Sequence, residues 1–470
     1  MARPAVVRAV PPRARPLSLA QKVIYGFGDV LIAVRMSCFQ FYLLPFYTDV
    51  VLPVGFTWLG GLAKTIGLVW DGINDPLAGH LSDRTRTRLG RRRPFLIGAA
   101  VPLGVAFAGV WWVPDALGTA GKFAYLVLAF LVMDSFFSLY ATPYAALGAE
   151  LSSDYHERTQ LAGTRGVFHL LGLVLGVAIP GIVLAWYPAG TGYAAEGYRT
   201  MGVMLGAGMV GVALVTGLGV REPVSARPAP ERFSWRSFSA GVAETLQNPA
   251  FRILTVTFAF ILLAGGLYQT LIPYAFRHWI RRPDLVTNIP LVYIAATIVS
   301  LPLWTRLARG LGKDRALRAC MVWAALALGV TPLVLGPDSD PSTTFAFVAL
   351  AGLGNGGWVI LPPSITADVV DWDELHTRQR REGAYFGVWT LVMKFASAIA
   401  SGIVGVGLQV VGYVPNAEQS ATTILGIKLL YGPVPAVFML VALLTFRAFP
   451  LTRARHEELQ AALAARRGLT

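Results

Sequence analysis

Residues 220–250 read VREPVSARPAPERFSWRSFSAGVAETLQNPA, the longest hydrophilic stretch inside the chain. Outward from it in both directions lie apolar runs of about 20 residues, the length a helix needs to cross a bilayer. Six precede it, over 22–48, 56–81, 95–113, 123–150, 161–186 and 199–219. Six follow it, over 251–276, 287–308, 316–336, 343–369, 383–411 and 424–449. Numbered in order, these are spans 1 to 12. The predicted fold class is an all-α membrane protein with a tail over 1–21, a six-helix half over 22–219, a loop over 220–250, a second six-helix half over 251–449 and a tail over 450–470. The first 20 residues are rich in Arg and Pro and lack the apolar core of a signal peptide, so they read as a cytoplasmic tail.

Composition supports the membrane reading. Only 14% of the 470 residues are charged, against roughly 25% in soluble domains, and 55% are hydrophobic, with a mean hydropathy of +0.56. An ordinary soluble enzyme is excluded, because the chain lacks the charge for a hydrated surface. The net charge of +14 could suggest nucleic acid, but its distribution points elsewhere. On one side of the alternating spans lie 28 of the 40 Lys and Arg residues, and on the other only 5, the loop cations Lys122, Arg199, Arg277, Arg281 and Arg282. By the positive-inside rule the linker and both termini face the cytoplasm, and no nucleic-acid partner is called for. Cys38 and Cys320 each lie in an apolar run, so no disulfide framework exists. Two six-helix halves joined by a cytoplasmic loop resemble the plan of the major facilitator superfamily, whose halves rock about a site at mid-membrane.

Charges that topology does not explain point to function, since an ionisable group inside a span costs at least about 2.5 kcal/mol. Span 2 carries WDGINDP at 70–76, with Asp71 and Asp75 one turn apart on one face. Two carboxylates that close repel, so they share a cation or one keeps its proton. Hard oxygen donors suit Na⁺ or a hydrated proton rather than a transition metal. The structural alternative has Asp75 capping the following loop and Asp71 pairing with a lysine. Lys64, on the same face, is either an internal counter-charge or points its amine outward. Asp29, at the end of YGFGD in span 1, is either an interfacial cap or a substrate contact, and Arg35 lies on a different face. Arg165 in span 5 faces the central cavity or an acid on another span, and His169, one turn on, reads as a hydrogen-bonded packing residue. Lys394 is the one charge in a long stretch of span 11 and is expected to pair with an aspartate of the first half. Asp134 and Ser138 share a face of span 4, where Ser138 could offer a neutral oxygen to the cation. The loop GHLSDRTRTRLGRRRPF at 79–95 reads as a gate latch through Asp83, Arg84, Arg91 and Arg92, besides its part in topology.

Three glycine patterns, GLVLG at 172–176, GAGMVG at 206–211 and GLGNGG at 352–357, fall within spans and read as helix contacts, not nucleotide loops. With no P-loop and no catalytic constellation, the chain is expected to be neither an ATP-driven pump nor an enzyme, and to use no cofactor beyond a coupling cation.

Taken together, YGFGD, FYTDV (46–50), WDGINDP, SDRTRTRLGRRRPF, ADVVDWDE (367–374) and GYVPNAEQS (412–420) resemble the glycoside–pentoside–hexuronide:cation symporter family, the melibiose carrier's family, along the whole chain. The resemblance implies import of a sugar or glycoside coupled to Na⁺ or H⁺ by a monomer in a bacterial inner membrane. It places the cation at Asp71, Asp75, Asn74 and Ser138, and the substrate and coupling groups at Arg165 and Lys394. The carrier's sugar-binding aspartates fall on Ala33 and Ala141 here, and a tryptophan of its site on Ala145. Asp29, one turn from Ala33, is the candidate replacement. Lysolipid symporters of the same superfamily share the span 2 aspartates and the span 11 lysine, and a more apolar cavity suits an amphiphile. A sensor or membrane enzyme is the remote alternative.

Overall fold

The structure is a computed structural model and describes residues 17–152, 154–190, 192–222, 235–337, 339–377 and 381–466. Most of the N-terminal tail, the centre of the linker and Arg378 and Arg380 lie outside the described residues. The first half comprises span 1 (Leu19–Val51), span 2 (Thr57–Arg84), span 3 (Arg93–Val110), span 4 (Thr119–Leu151), span 5 (Tyr155–Ala185) and span 6 (Ala195–Gly219). The second comprises span 7 (Pro249–Trp279), span 8 (Asn288–Leu311), span 9 (Lys313–Val334), span 10 (Pro341–Thr377), span 11 (Glu382–Val410) and span 12 (Ala421–Phe446). Starts are fixed by side-chain caps: Asp154 accepts from the Glu157 N–H, Asn248 from Phe251 and Ser420 from Thr423.

Eleven of these helices are long and apolar enough to cross a membrane by composition alone, among the described residues. Span 2 is the twelfth, and it falls short because Lys64, Asp71 and Asp75 interrupt its middle. Large apolar side chains such as Val105, Leu128, Val299, Leu326 and Leu333 stay exposed on the outside of the bundle, as lipid-facing surfaces require.

The two halves repeat one packing plan. In the first, span 1 packs on 5, 2 on 4, 3 on 6 and 3 on 4; in the second, 7 packs on 11, 8 on 10, 9 on 12 and 9 on 10. The halves meet where span 2 lies along span 11, span 5 along span 8 and span 1 along span 7. Close contacts use the glycines of the three discounted patterns. A methyl group on Gly206 would meet the Gly104 carbonyl oxygen at 2.5 Å, and one on Gly176 would meet that of Val34 at 2.6 Å.

Spans 1 and 7, the first of each half, both widen into π-type turns at the same end, over Tyr47–Val51 and Ala275–Trp279. Two helices extend beyond the sequence reading: Trp235–Gln247 inside the linker, and Arg453–Arg466 in the C-terminal tail. Both are polar helices outside the apolar runs, so a search for spans passes over them.

Candidate functional site

Helical spacing puts Lys64, Asp71 and Asp75 on one stripe of span 2. One flank of this stripe meets span 4, where Gly67 abuts Phe130 and the Asn74 amide donates to the Asp134 carbonyl at 3.4 Å. The other flank meets span 11, where Gly61 abuts Gly405 and the Thr65 hydroxyl donates to the Ala398 carbonyl at 2.8 Å. The stripe therefore points along the seam between the halves.

Lys394 reaches across that seam. Its ammonium lies 2.9 Å from Asp71 Oδ2 and 2.5 Å from Asp75 Oδ2, and donates to the Asp71 carbonyl at 3.1 Å. Ser138 Oγ donates to Asp71 Oδ1 at 3.4 Å and Thr142 Oγ1 to Asp75 Oδ1 at 3.3 Å. Three spans thus bring two carboxylates, two hydroxyls and one ammonium together. The oxygens are hard donors, and the ammonium stands between the same two carboxylates. Asn74 joins this group from the side, its amide nitrogen engaged by span 4 and its carbonyl oxygen left for another donor or cation.

A second cluster joins spans 1 and 5. Asp29 Oδ1 accepts from Arg165 Nε at 2.8 Å, and Asp29 Oδ2 lies 2.7 Å from His169 Nδ1. Asp29 is 2% exposed with both oxygens engaged, whereas the Arg165 and His169 side chains are about one-third exposed. What this cluster offers a solute is therefore the cation and the imidazole, held in place by Asp29. His169, expected as a hydrogen-bonded packing residue, finds its partner in Asp29 and completes this polar trio. Ala33 is buried against Gly172 of span 5, and Ala145 is exposed.

A third cluster was not legible in the sequence. Arg35 forms an ion pair with the fully buried Asp134 of span 4, and its guanidinium stacks 4.0 Å over the Phe137 ring. Spacing on span 1 alone separates Arg35 from Asp29, but it does not show that Asp134 of span 4 turns toward span 1. Lys64 is 4% exposed and its Nζ has no hydrogen-bond partner among the described residues.

At the basic face, Arg92 binds Ser82 Oγ at 2.5 Å, Asp83, and Glu150 at 2.9 Å, and Arg91 binds Glu150 at 2.5 Å. The Glu222 carboxylate accepts from the backbone N–H groups of Arg91, Arg92 and Arg93, closing the start of span 3. All these partners belong to the first half except Glu222, at the start of the linker, so the expected latch residues tie spans 2, 3 and 4 to one another and to the linker's first residues. Arg84 is exposed.

The opposite face is closed by a network that links the halves. Arg277, counted in the sequence as a loop cation, is buried and binds Asp49 Oδ2 at 3.0 Å. Asp49 Oδ1 accepts from Tyr413 at 3.1 Å and Thr48 at 2.7 Å, and the Asp49 carbonyl from Asn416 at 2.7 Å. Thr48 and Tyr274 hydroxyls lie 2.7 Å apart, and Arg277 stacks 4.9 Å from the Tyr193 ring. Asp49 lies in FYTDV, and Tyr413 and Asn416 in GYVPNAEQS. The signal in the sequence was a lone acid and a lone base, each near a span end, with nothing local to pair with.

Two repeated six-helix bundles, joined at mid-membrane by Lys394 and at one face by Arg277, have the build of a membrane transporter. The chain matches the MFS/sugar transport protein family over residues 24–453 and belongs to it. It is 27% identical to a putative glycoside/cation symporter of Escherichia coli, over 94% of each chain. It is 26% identical to the sphingosine-1-phosphate transporter of Xenopus tropicalis, over 97% of this chain and 93% of the relative. The inward-open structure of the E. coli xylose transporter superposes with a TM-score of 0.66 at 14% identity, covering 94% of this chain and 98% of that one. The fold is thus that of the major facilitator superfamily.

Proposed function

We propose that the protein is a cation-coupled symporter that imports a sugar or glycoside by alternating access. The observation that carries this reading is Lys394 of the second half held between Asp71 and Asp75 of the first. In this arrangement the ammonium stands in for a coupling cation. Na⁺ or a proton arriving at the two carboxylates competes with it, loosens the contact between halves and frees an amine toward the solute. Asn74 and Ser138 complete the cation's surroundings, and Arg165, held by Asp29, contacts the solute. Binding is reciprocal: the factor by which the cation raises solute affinity equals the factor by which the solute raises cation affinity.

In this reading the Arg-rich loop 79–95 and both termini face the cytoplasm of a bacterial inner membrane, and the transporter works as a monomer. The Asp49–Arg277 network then seals the outer side, and Asp83, Arg84, Arg91 and Arg92 stiffen the inner end of the first half as it rocks.

A second reading, symport of a lysolipid, draws on Ala141 and Ala145, which stand in place of a carboxylate and an indole, and on the sphingolipid-transporting relative. Uptake into proteoliposomes of a sugar panel and a labelled lysolipid, with a Na⁺ or pH gradient imposed, tests both. Accumulation of a sugar supports the first reading, accumulation of the lysolipid alone replaces it with the second, and gradient-independent equilibration of every solute refutes coupling.

A further inference from the structure

At mid-membrane, away from the span ends, four cations face four carboxylates. Arg35, Lys64, Arg165 and Lys394 stand against Asp29, Asp71, Asp75 and Asp134, and the Asp49–Arg277 pair of the seal is itself neutral. Three of the four cations have a carboxylate partner. Among the described residues Lys64 has none, and its Nζ is buried without a hydrogen bond to any of them. A buried ammonium left alone costs several kcal/mol, and a buried polar atom without a partner marks a ligand to be supplied. Lys64 lies on the Asp71–Asp75 stripe, two turns or about 10 Å from Asp71 toward the sealed face. Arg35, its nearest cationic neighbour, binds Asp134 through one terminal nitrogen, and its Nε has no partner. Phe39 and Phe137 flank Arg35, and Phe130 packs on Phe39 at 5.5 Å, so an aromatic wall borders the Arg35 guanidinium.

The balance changes on loading. One Na⁺ or proton at Asp71 and Asp75 gives the interior a net charge of +1, and an uncompensated charge in a low-dielectric interior opposes closure of the halves over it. The solute is the other species that enters. We propose that the solute carries one negative charge, a carboxylate or a phosphate, and that Lys64 binds this group with Arg35 Nε as a second donor. This proposal rests on the reading of Asp71 and Asp75 as the cation site. It names an anion-binding residue on span 2 and divides the solutes by charge, where the sugar and lipid readings divide them by skeleton.

The test uses matched probes on the full-length purified protein: 4-nitrophenyl glucuronide against 4-nitrophenyl glucoside, and lysophosphatidylglycerol, a phosphodiester with one negative charge, against an uncharged monoacylglycerol. Affinity is read from the shift in thermal unfolding midpoint, in Na⁺ buffer and again in acidic Na⁺-free buffer. One acidic probe is expected to bind and its neutral counterpart not, and which one binds tells an acidic sugar from an acidic lipid. Lys64→Gln should weaken that binding by about tenfold or more, as loss of a charge-assisted contact does, and Lys64→Arg, which keeps the charge, should restore most of it. Equal binding of a neutral probe, no binding of either acidic probe, or unchanged affinity in Lys64→Gln overturns the proposal. Accumulation in proteoliposomes is scored separately. An acidic probe that binds through Lys64 yet is never concentrated by either gradient supports the anion site and refutes the symport reading.

Discussion

Two places join the halves of this molecule, and they are built to opposite standards. At the sealed face, Asp49 meets Arg277, Tyr413 and Thr48, and its carbonyl meets Asn416, so that its side chain and carbonyl are all engaged. At mid-membrane, Lys394 is shared between two carboxylates, Lys64 has no partner among the described residues and the Nε of Arg35 is idle. A satisfied buried network holds one arrangement, whereas a part-satisfied one leaves energy to be gained from an incoming species. The first is the signature of a closed gate, and the second that of a site waiting for cargo.

The largest effect should come from the mid-membrane aspartates. Asp71→Asn and Asp75→Asn are each expected to abolish gradient-driven accumulation in proteoliposomes while solute exchange at equilibrium persists. If both variants still concentrate solute, Lys394 is a structural strut and the contrast between the two regions collapses. Next come variants of the seal. Asp49→Ala should destabilise the closed face by about 3–5 kcal/mol, the cost of stranding a buried guanidinium. Labelling of a cysteine placed beneath the seal should rise accordingly, and Asp49→Ala with Arg277→Met should recover much of the loss.

Lys64→Met is expected to act in the other direction. Replacing an unpartnered buried ammonium by an isosteric apolar chain should stabilise the unloaded protein by about 1–4 kcal/mol, seen as a raised unfolding midpoint. A fall in the midpoint would mean that Lys64 already has a stabilising partner. The smallest effect, read as the unfolding midpoint, should be Glu244→Ala at the basic face, which leaves the largely buried Arg381–Asp373 pair in place. Arg381 joins Asp373 of span 10 to Glu244 of the linker helix, but Glu244 is 59% exposed, so screening limits its share to about 0–1 kcal/mol.

The spans were legible because apolar runs of fixed length are a one-dimensional signal, and the Lys and Arg distribution independently gave their number and order. Asp71, Asp75 and Lys394 were legible because each stands alone in an apolar surrounding, where charge needs a reason. Arg35 with Asp134, and Asp49 with Arg277, were not, because their pairing depends on how spans rotate against one another, 99 and 228 residues apart. Arg277 was misread as topology for a related reason. Its helix continues through a π-type turn over Ala275–Trp279, which carries the residue inward from where a regular span would have ended. The linker helix escaped notice because its apolar positions are few and face a surface rather than lipid.

The polarity of span 2 also bears on how the protein is made. Each Lys or Asp near the centre of a helix opposes entry into the bilayer by about 2.5–3.5 kcal/mol, and Thr57–Arg84 carries three such residues. The ammonium that neutralises its two aspartates belongs to Lys394, 319 residues after Asp75. For most of synthesis the emerging segment therefore has no counter-charge. It must be carried into the membrane by its neighbours, spans 1 and 3, and sheltered until the ribosome delivers span 11. Biogenesis of the first half is thus completed by the second, and a truncated chain ending at the linker should be a substrate for membrane quality control rather than an independent bundle.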